Sequence, residues 1–177
     1  MKAHQKVFKM LSVLLQYPQR EWIGEISEIA LEVEQLNDIA IQKNLKAFFD
    51  YIKNTPFDQL CENYVNTFDY HGVTTLHLTY NVFKDSRKRG EALIELQRLF
   101  QTVDLEKTST ELPDFLPLIL EFLSIAEKEQ IQQLLKLHQK SLHNLQVELV
   151  KAKSEYSFLI KVINEVTKQQ IQNENVS

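Results

Sequence analysis

The sequence predicts an all-α fold, a single-domain helical bundle of about eight to ten helices, on three observations. Apolar residues recur at three- and four-residue spacing along most of the chain. Only three glycines and four prolines punctuate it, too few for the many tight turns of a strand-rich fold. A length of 177 residues suits one domain with a sizeable core better than two. That domain is expected over residues 1–167, with a polar, disordered tail over residues 168–177.

The first helix lies in MKAHQKVFKMLSVLLQYP, where Val7, Phe8, Leu11, Leu14 and Leu15 fall at amphipathic spacing. Basic residues ahead of apolar ones imitate a secretion signal, but no small-residue cleavage site follows. The helix should stop at Tyr17, because Pro18 drives the residue before it out of the α region. A second helix is expected over residues 22–36, with Ile23, Ile26, Ile29, Ala30, Val33 and Leu36 on one stripe. A third, over residues 39–53, turns Ile41, Leu45, Phe48, Phe49 and Ile52 inward. Thr55 and Pro56 read as N-cap and first helical position of a fourth helix that ends near Phe68 and buries Phe57, Leu60, Cys61, Tyr64, Val65 and Phe68. His71-Gly72 breaks the chain. A short apolar helix follows over residues 76–83, then a longer one over residues 86–102 with Leu93, Ile94, Leu96, Leu99 and Phe100 inward, then a flexible polar loop over residues 103–110. Residues 127–166 hold neither Gly nor Pro, and two or three helices share them, with Val150 on one inward face.

Residues 111–123, ELPDFLPLILEFL, are the stretch around which the rest is organised. From Phe115 to Leu123 apolar side chains point to every side of a 3.6-residue wheel, the pattern of a helix buried all round. Asp114 is the expected N-cap, accepting from the Leu116 N–H, with Pro117 in the first turn where its missing N–H costs little. Glu121 lies between Leu120 and Phe122 with no charged neighbour in the local sequence. A buried carboxylate needs a partner or a proton. Glu121 therefore forms a structural ion pair, sits at a wet edge of the helix, or lines a polar spot in a groove.

Composition excludes several functions. Glycine-rich phosphate cradles need glycines this chain lacks. A single cysteine, Cys61, rules out a disulfide framework and a cysteine-based metal site, and suits a reducing cytoplasm. No apolar run reaches the roughly 18 to 20 residues of a membrane span, so no stable membrane insertion is expected. The histidines are spaced as core or solvated residues rather than as metal ligands, no Glu-x-x-His motif of a di-iron bundle occurs, and no G-x-S-x-G elbow is present. No catalytic residue, metal or cofactor is expected, and the chain does not read as an enzyme.

Residues 84–89, KDSRKR, form the one conspicuous charge cluster. With a net charge of −4 and no aromatic stacking platform beside the cluster, nucleic-acid binding is disfavoured. Arg87 and Arg89 are fork-shaped donors, and Glu111, Asp114 and Glu121 are carboxylates in an apolar setting. At least one such pair is expected to bridge the helix after Ser86 and the central helix, fixing the walls of the cleft between them.

Three segments together resemble the NarJ family, the delta-subunit chaperones of respiratory nitrate reductase, within the TorD-like molybdoenzyme chaperones. They are Tyr64-Val65-Asn66-Thr67-Phe68-Asp69, Asp85-Ser86-Arg87-Lys88-Arg89-Gly90, and Glu111-Leu112-Pro113-Asp114-Phe115-Leu116-Pro117-Leu118 running on into Leu120-Glu121-Phe122-Leu123. A fourth, weaker match is Leu14-Leu15-x-Tyr17-Pro18 with Glu21-Trp22. The resemblance covers roughly the first 125 residues, while the last fifty match only in being helical. Lys84 stands where relatives carry Gly, so a differently built turn is expected there.

The resemblance implies a TorD-like bundle and a non-catalytic role. Such proteins bind the apo catalytic subunit of nitrate reductase in the cytoplasm, partly through its N-terminal segment, assist molybdenum cofactor insertion, and leave before the mature enzyme works. On this reading Tyr64, Phe68 and Phe115 supply apolar wall to a client peptide, and Asp69, Asp114 and Glu121 offer charge to its Lys or Arg. Asp85, Arg87, Arg89, Glu111, Pro113 and Pro117 brace the groove. A homodimer is compatible with this reading. The alternatives are a stable structural subunit of an enzyme complex and a chaperone of another molybdoenzyme.

Overall fold

The computed structural model describes residues 2–103 and 110–172, and among them it contains ten helices and no strand, as the pattern predicts. The N-terminal helices are α1 (Ala3–Leu14), α2 (Arg20–Gly24), α3 (Ile26–Glu34), α4 (Ile39–Asn54) and α5 (Phe57–Phe68). They are followed by α6 (Leu78–Phe83), α7 (Arg87–Gln101), α8 (Leu116–Ile125), α9 (Lys128–Lys151) and α10 (Ser157–Gln172).

Two helices carry the core. α8 lies along α1 and buries seven of its ten residues, from Leu116 and Pro117 to Leu123 and Ser124, while Ile125 remains exposed. Phe122 stacks on Phe100 of α7 at 5.0 Å. α10 is a second hub, packed against α9, α4 and α1, with Leu159, Ile160, Val162 and Ile163 sealed. This helix continues to Gln172, past the boundary expected for the tail, because Gln132 donates to the Gln170 carbonyl and Gln169 donates to Asp38. Residues 173–177 lie outside the described residues, as does most of the loop expected over 103–110.

Several boundaries differ from expectation for local reasons. α1 ends at Leu14, with Leu15 as its C-cap, rather than at Tyr17. The helix expected over residues 22–36 is two, broken at Gly24 and Glu25. Thr55 caps the end of α4, its hydroxyl donating to the Tyr51 carbonyl, and Pro56 takes the N-cap position of α5. Cys61 and Val65 are half-buried rather than sealed. Ile94 and Val150, expected inward, are exposed at 54% and 47%.

Two turns hold lysines in left-handed backbone. Lys153 has φ 53° after α9, where the Ser154 N–H donates to the Leu149 carbonyl and the Lys153 N–H to the Val150 carbonyl, the Schellman arrangement that glycine usually completes. Lys84 closes α6 at φ 51°, ψ −136°, a glycine-type conformation. Here a side chain occupies a backbone conformation suited to Gly.

Candidate functional site

The segment before α6 and the segment before α8 run side by side. The Leu78 N–H donates to the Asp114 carbonyl and the Leu116 N–H to the Leu76 carbonyl, an isolated antiparallel bridge centred on His77 and Phe115. Because the Leu116 N–H is taken by Leu76, Asp114 does not cap α8; the cap position falls to Phe115, with no side-chain hydrogen bond.

Asp114 is instead fully buried and surrounded by donors. Its carboxylate lies 2.9 Å from His77 Nδ1, accepts from the Thr79 hydroxyl, and sits 3.6 Å from the Arg89 guanidinium. Arg89 Nε in turn donates to Thr79 Oγ1 at 3.3 Å. Burial pushes the Asp114 pKa up, but hydrogen bonds from His77 and Thr79 and the charges of His77 and Arg89 outweigh it, leaving the carboxyl below its usual value. This is the expected bridge between the helix after Ser86 and the central segment, made by Arg89. Arg87 plays no part in it: 94% exposed, it pairs with Glu91 on its own helix. Asp85, almost as exposed, reaches Arg89 only at 3.8 Å. Lys84 lies over the Tyr80 ring. Much of the basic cluster is therefore engaged within the protein.

A cleft of about 470 Å³ opens beside this brace, between the end of α1, the end of α5 and the start of α8. Tyr17, Phe115, Pro117 and Leu118 supply apolar wall, and Gln16 and Gln19 line one side. Three carboxylates, Asp69, Glu111 and Glu121, stand around it, with His77 between the cleft and the sealed Asp114. Glu121 is half-exposed and accepts from Lys9 Nζ of α1 at 2.7 Å, so it is at once an ion pair, a wet edge and part of a groove wall. Tyr64 reaches the cleft from the core; its hydroxyl donates to the Leu15 carbonyl at 3.0 Å, and burial raises its pKa so that it stays protonated.

The cleft thus gathers Tyr64, Asp69, Phe115 and Glu121 of the expected client-facing set, together with Glu111 and Pro117 from the bracing set. Two expectations are corrected. Asp114 is sealed, so its charge serves the brace. Phe68, 5% exposed, packs edge-on against Tyr64 and Tyr156 in the aromatic core. Pro113 is half-buried in the turn ahead of the bridge. Sequence reading missed His77, Gln16 and Gln19; Tyr17 had a signal, in the Leu-Leu-x-Tyr-Pro match. Among the described residues no group of three or more His, Cys, Asp or Glu could hold a metal ion, and no helix is long and apolar enough to cross a membrane.

An all-helical bundle with an acid-edged cleft between its helices is compatible with helix-in-groove recognition of a polypeptide. Residues 34–156 match the model of the nitrate reductase delta subunit family, and the chain belongs to that family. It is 32% identical over 159 residues to the probable nitrate reductase molybdenum cofactor assembly chaperone NarJ of Bacillus subtilis, covering 90% of this chain and 86% of that one. The nitrate reductase molybdenum cofactor assembly chaperone NarJ of Escherichia coli is 28% identical over 95% of this chain and 72% of its own. A 29% match to the nitrate reductase-like protein NarX of Mycobacterium tuberculosis covers 73% of this chain but 19% of that longer protein.

Proposed function

We propose that this chain is a system-specific assembly chaperone that holds the apo catalytic subunit of a respiratory nitrate reductase in the cytoplasm while the molybdenum cofactor is inserted. It grips the N-terminal segment of that subunit and is not part of the finished enzyme. The names of its relatives support the class. The observation that supports the mode is the cleft, which sets the side chains of Tyr17, Phe115, Pro117 and Leu118 together with the carboxylates Asp69, Glu111 and Glu121. An amphipathic helical segment lays apolar side chains against Tyr17, Phe115 and Leu118 and directs Lys or Arg to those carboxylates. The brace at Asp114 keeps the bridge of His77 and Phe115 in place, and so fixes one wall before any client arrives.

Affinity purification from cells making cofactor-free reductase, and separately from cells making mature enzyme, tests this. The chaperone reading expects a complex with the cofactor-free catalytic subunit and none with the mature one. Stoichiometric recovery in the mature enzyme would instead make the chain a structural subunit.

A further inference from the structure

Lys9 reaches a carboxylate of the cleft wall, and its position bears on how tightly a client is held. Its ammonium sits 2.7 Å from Glu121 Oε1, and both side chains are about half-exposed, at 49% and 43%. Glu121 stands on a well-packed wall, since α8 lies along α1 and Leu120 and Phe122 on either side of it are sealed. Lys9 hangs from the opposite helix on a flexible four-carbon stem. An ion pair this wet is weak, so an incoming cation displaces it at little cost.

We propose that Lys9 is a built-in competitor for the client: it occupies Glu121 in the empty cleft, yields it to a Lys or Arg of the bound segment, and thereby weakens binding enough to allow release. The inference rests on the cleft being the client site, and it deepens that reading by naming a residue that sets affinity without itself lining the cleft. A guanidinium, with its fork of donors, displaces the single ammonium more readily than a lysine does, so Arg-bearing segments are favoured.

The test is calorimetric titration of a synthetic peptide copying the N-terminal segment of the catalytic subunit encoded alongside this chain, and of a copy with its Lys and Arg replaced by Gln. Four proteins are compared: the natural chain, Lys9→Met, Glu121→Gln and the double variant. Lys9→Met keeps the aliphatic stem and removes the charge. The proposal expects it to bind the natural peptide about two- to five-fold more tightly, the fold-change of one exposed ion pair. It also expects no gain for the Gln copy and no gain from Lys9→Met once Glu121 is already Gln. If Lys9→Met binds equally or more weakly while Glu121→Gln weakens binding, Lys9 positions Glu121 rather than competing for it, and the proposal is overturned while the cleft stands. If the Gln copy binds the natural chain as tightly as the natural peptide does, the acid-edged cleft assignment itself fails and takes the proposal with it.

Discussion

Asp114 and Glu121 lie about two helical turns apart on one apolar segment, and the protein treats them in opposite ways. Asp114 is fully buried and ringed by His77, Thr79 and Arg89; Glu121 is half-exposed and holds one half-exposed lysine. A carboxylate in the interior must be saturated with donors, because an unpaired buried charge is costly. One at the surface can keep a replaceable partner, because water screens the exchange. The same side-chain chemistry therefore serves as a fixed brace in one place and as an exchangeable contact in the other.

The largest effect should come from the brace. Asp114→Ala leaves Arg89 and His77 facing an empty apolar pocket and is expected to lower stability by about 3 to 5 kcal/mol, read from denaturant unfolding. A loss below about 1 kcal/mol would mean the cluster is far wetter than its burial indicates.

Acid should separate the core from the rim next. His138 is buried, its Nε2 without a hydrogen-bond partner, and burial lowers its pKa from 6.5 to about 4. Between those values the unfolded chain binds a proton that the folded one refuses. Stability present above pH 6.5 is thus lost as the pH falls towards 4, by about 3 kcal/mol. His138→Leu should flatten that limb of the stability profile. The contribution of Asp114 behaves differently: its pKa is depressed in the folded state, so its stabilisation is present above the ordinary carboxylate value and is lost only as the pH drops further, through the lowered one. An unchanged slope in His138→Leu would assign the acid limb to other groups.

Backbone strain gives a smaller, opposite effect. Lys84→Gly relieves a conformation that side chains rarely adopt and should raise stability by about 1 kcal/mol without altering peptide affinity. Smallest of all for folding is Asp69→Asn, an exposed carboxylate at the cleft, expected within about 0.5 kcal/mol of the natural chain in stability.

How much of this was readable in the sequence follows from how local each cause is. α4 begins where Asp38 accepts from the Ile41 N–H, a signal contained in four residues. The turn between α9 and α10 was invisible because Lys153, not Gly, occupies its left-handed position. The Arg89 to Asp114 bridge was legible as one of a few possible pairs, since the three carboxylates of an apolar segment demand partners and the chain has one conspicuous cluster of cations. The role of His77 was not, because it depends on two segments far apart in sequence meeting through backbone hydrogen bonds. The exposure of Glu121 likewise depends on where α1 comes to rest, and no spacing within α8 encodes that.

Titration of the natural client peptide into Asp69→Asn/Glu121→Gln tests the acid-rimmed cleft most directly, with Lys84→Gly as the control of equal or greater stability. The account predicts that the double carboxamide variant folds as well as the natural chain and binds the peptide at least several-fold more weakly, while Lys84→Gly binds it unchanged. Equal affinity in all three proteins would contradict the account and place the client elsewhere on the bundle.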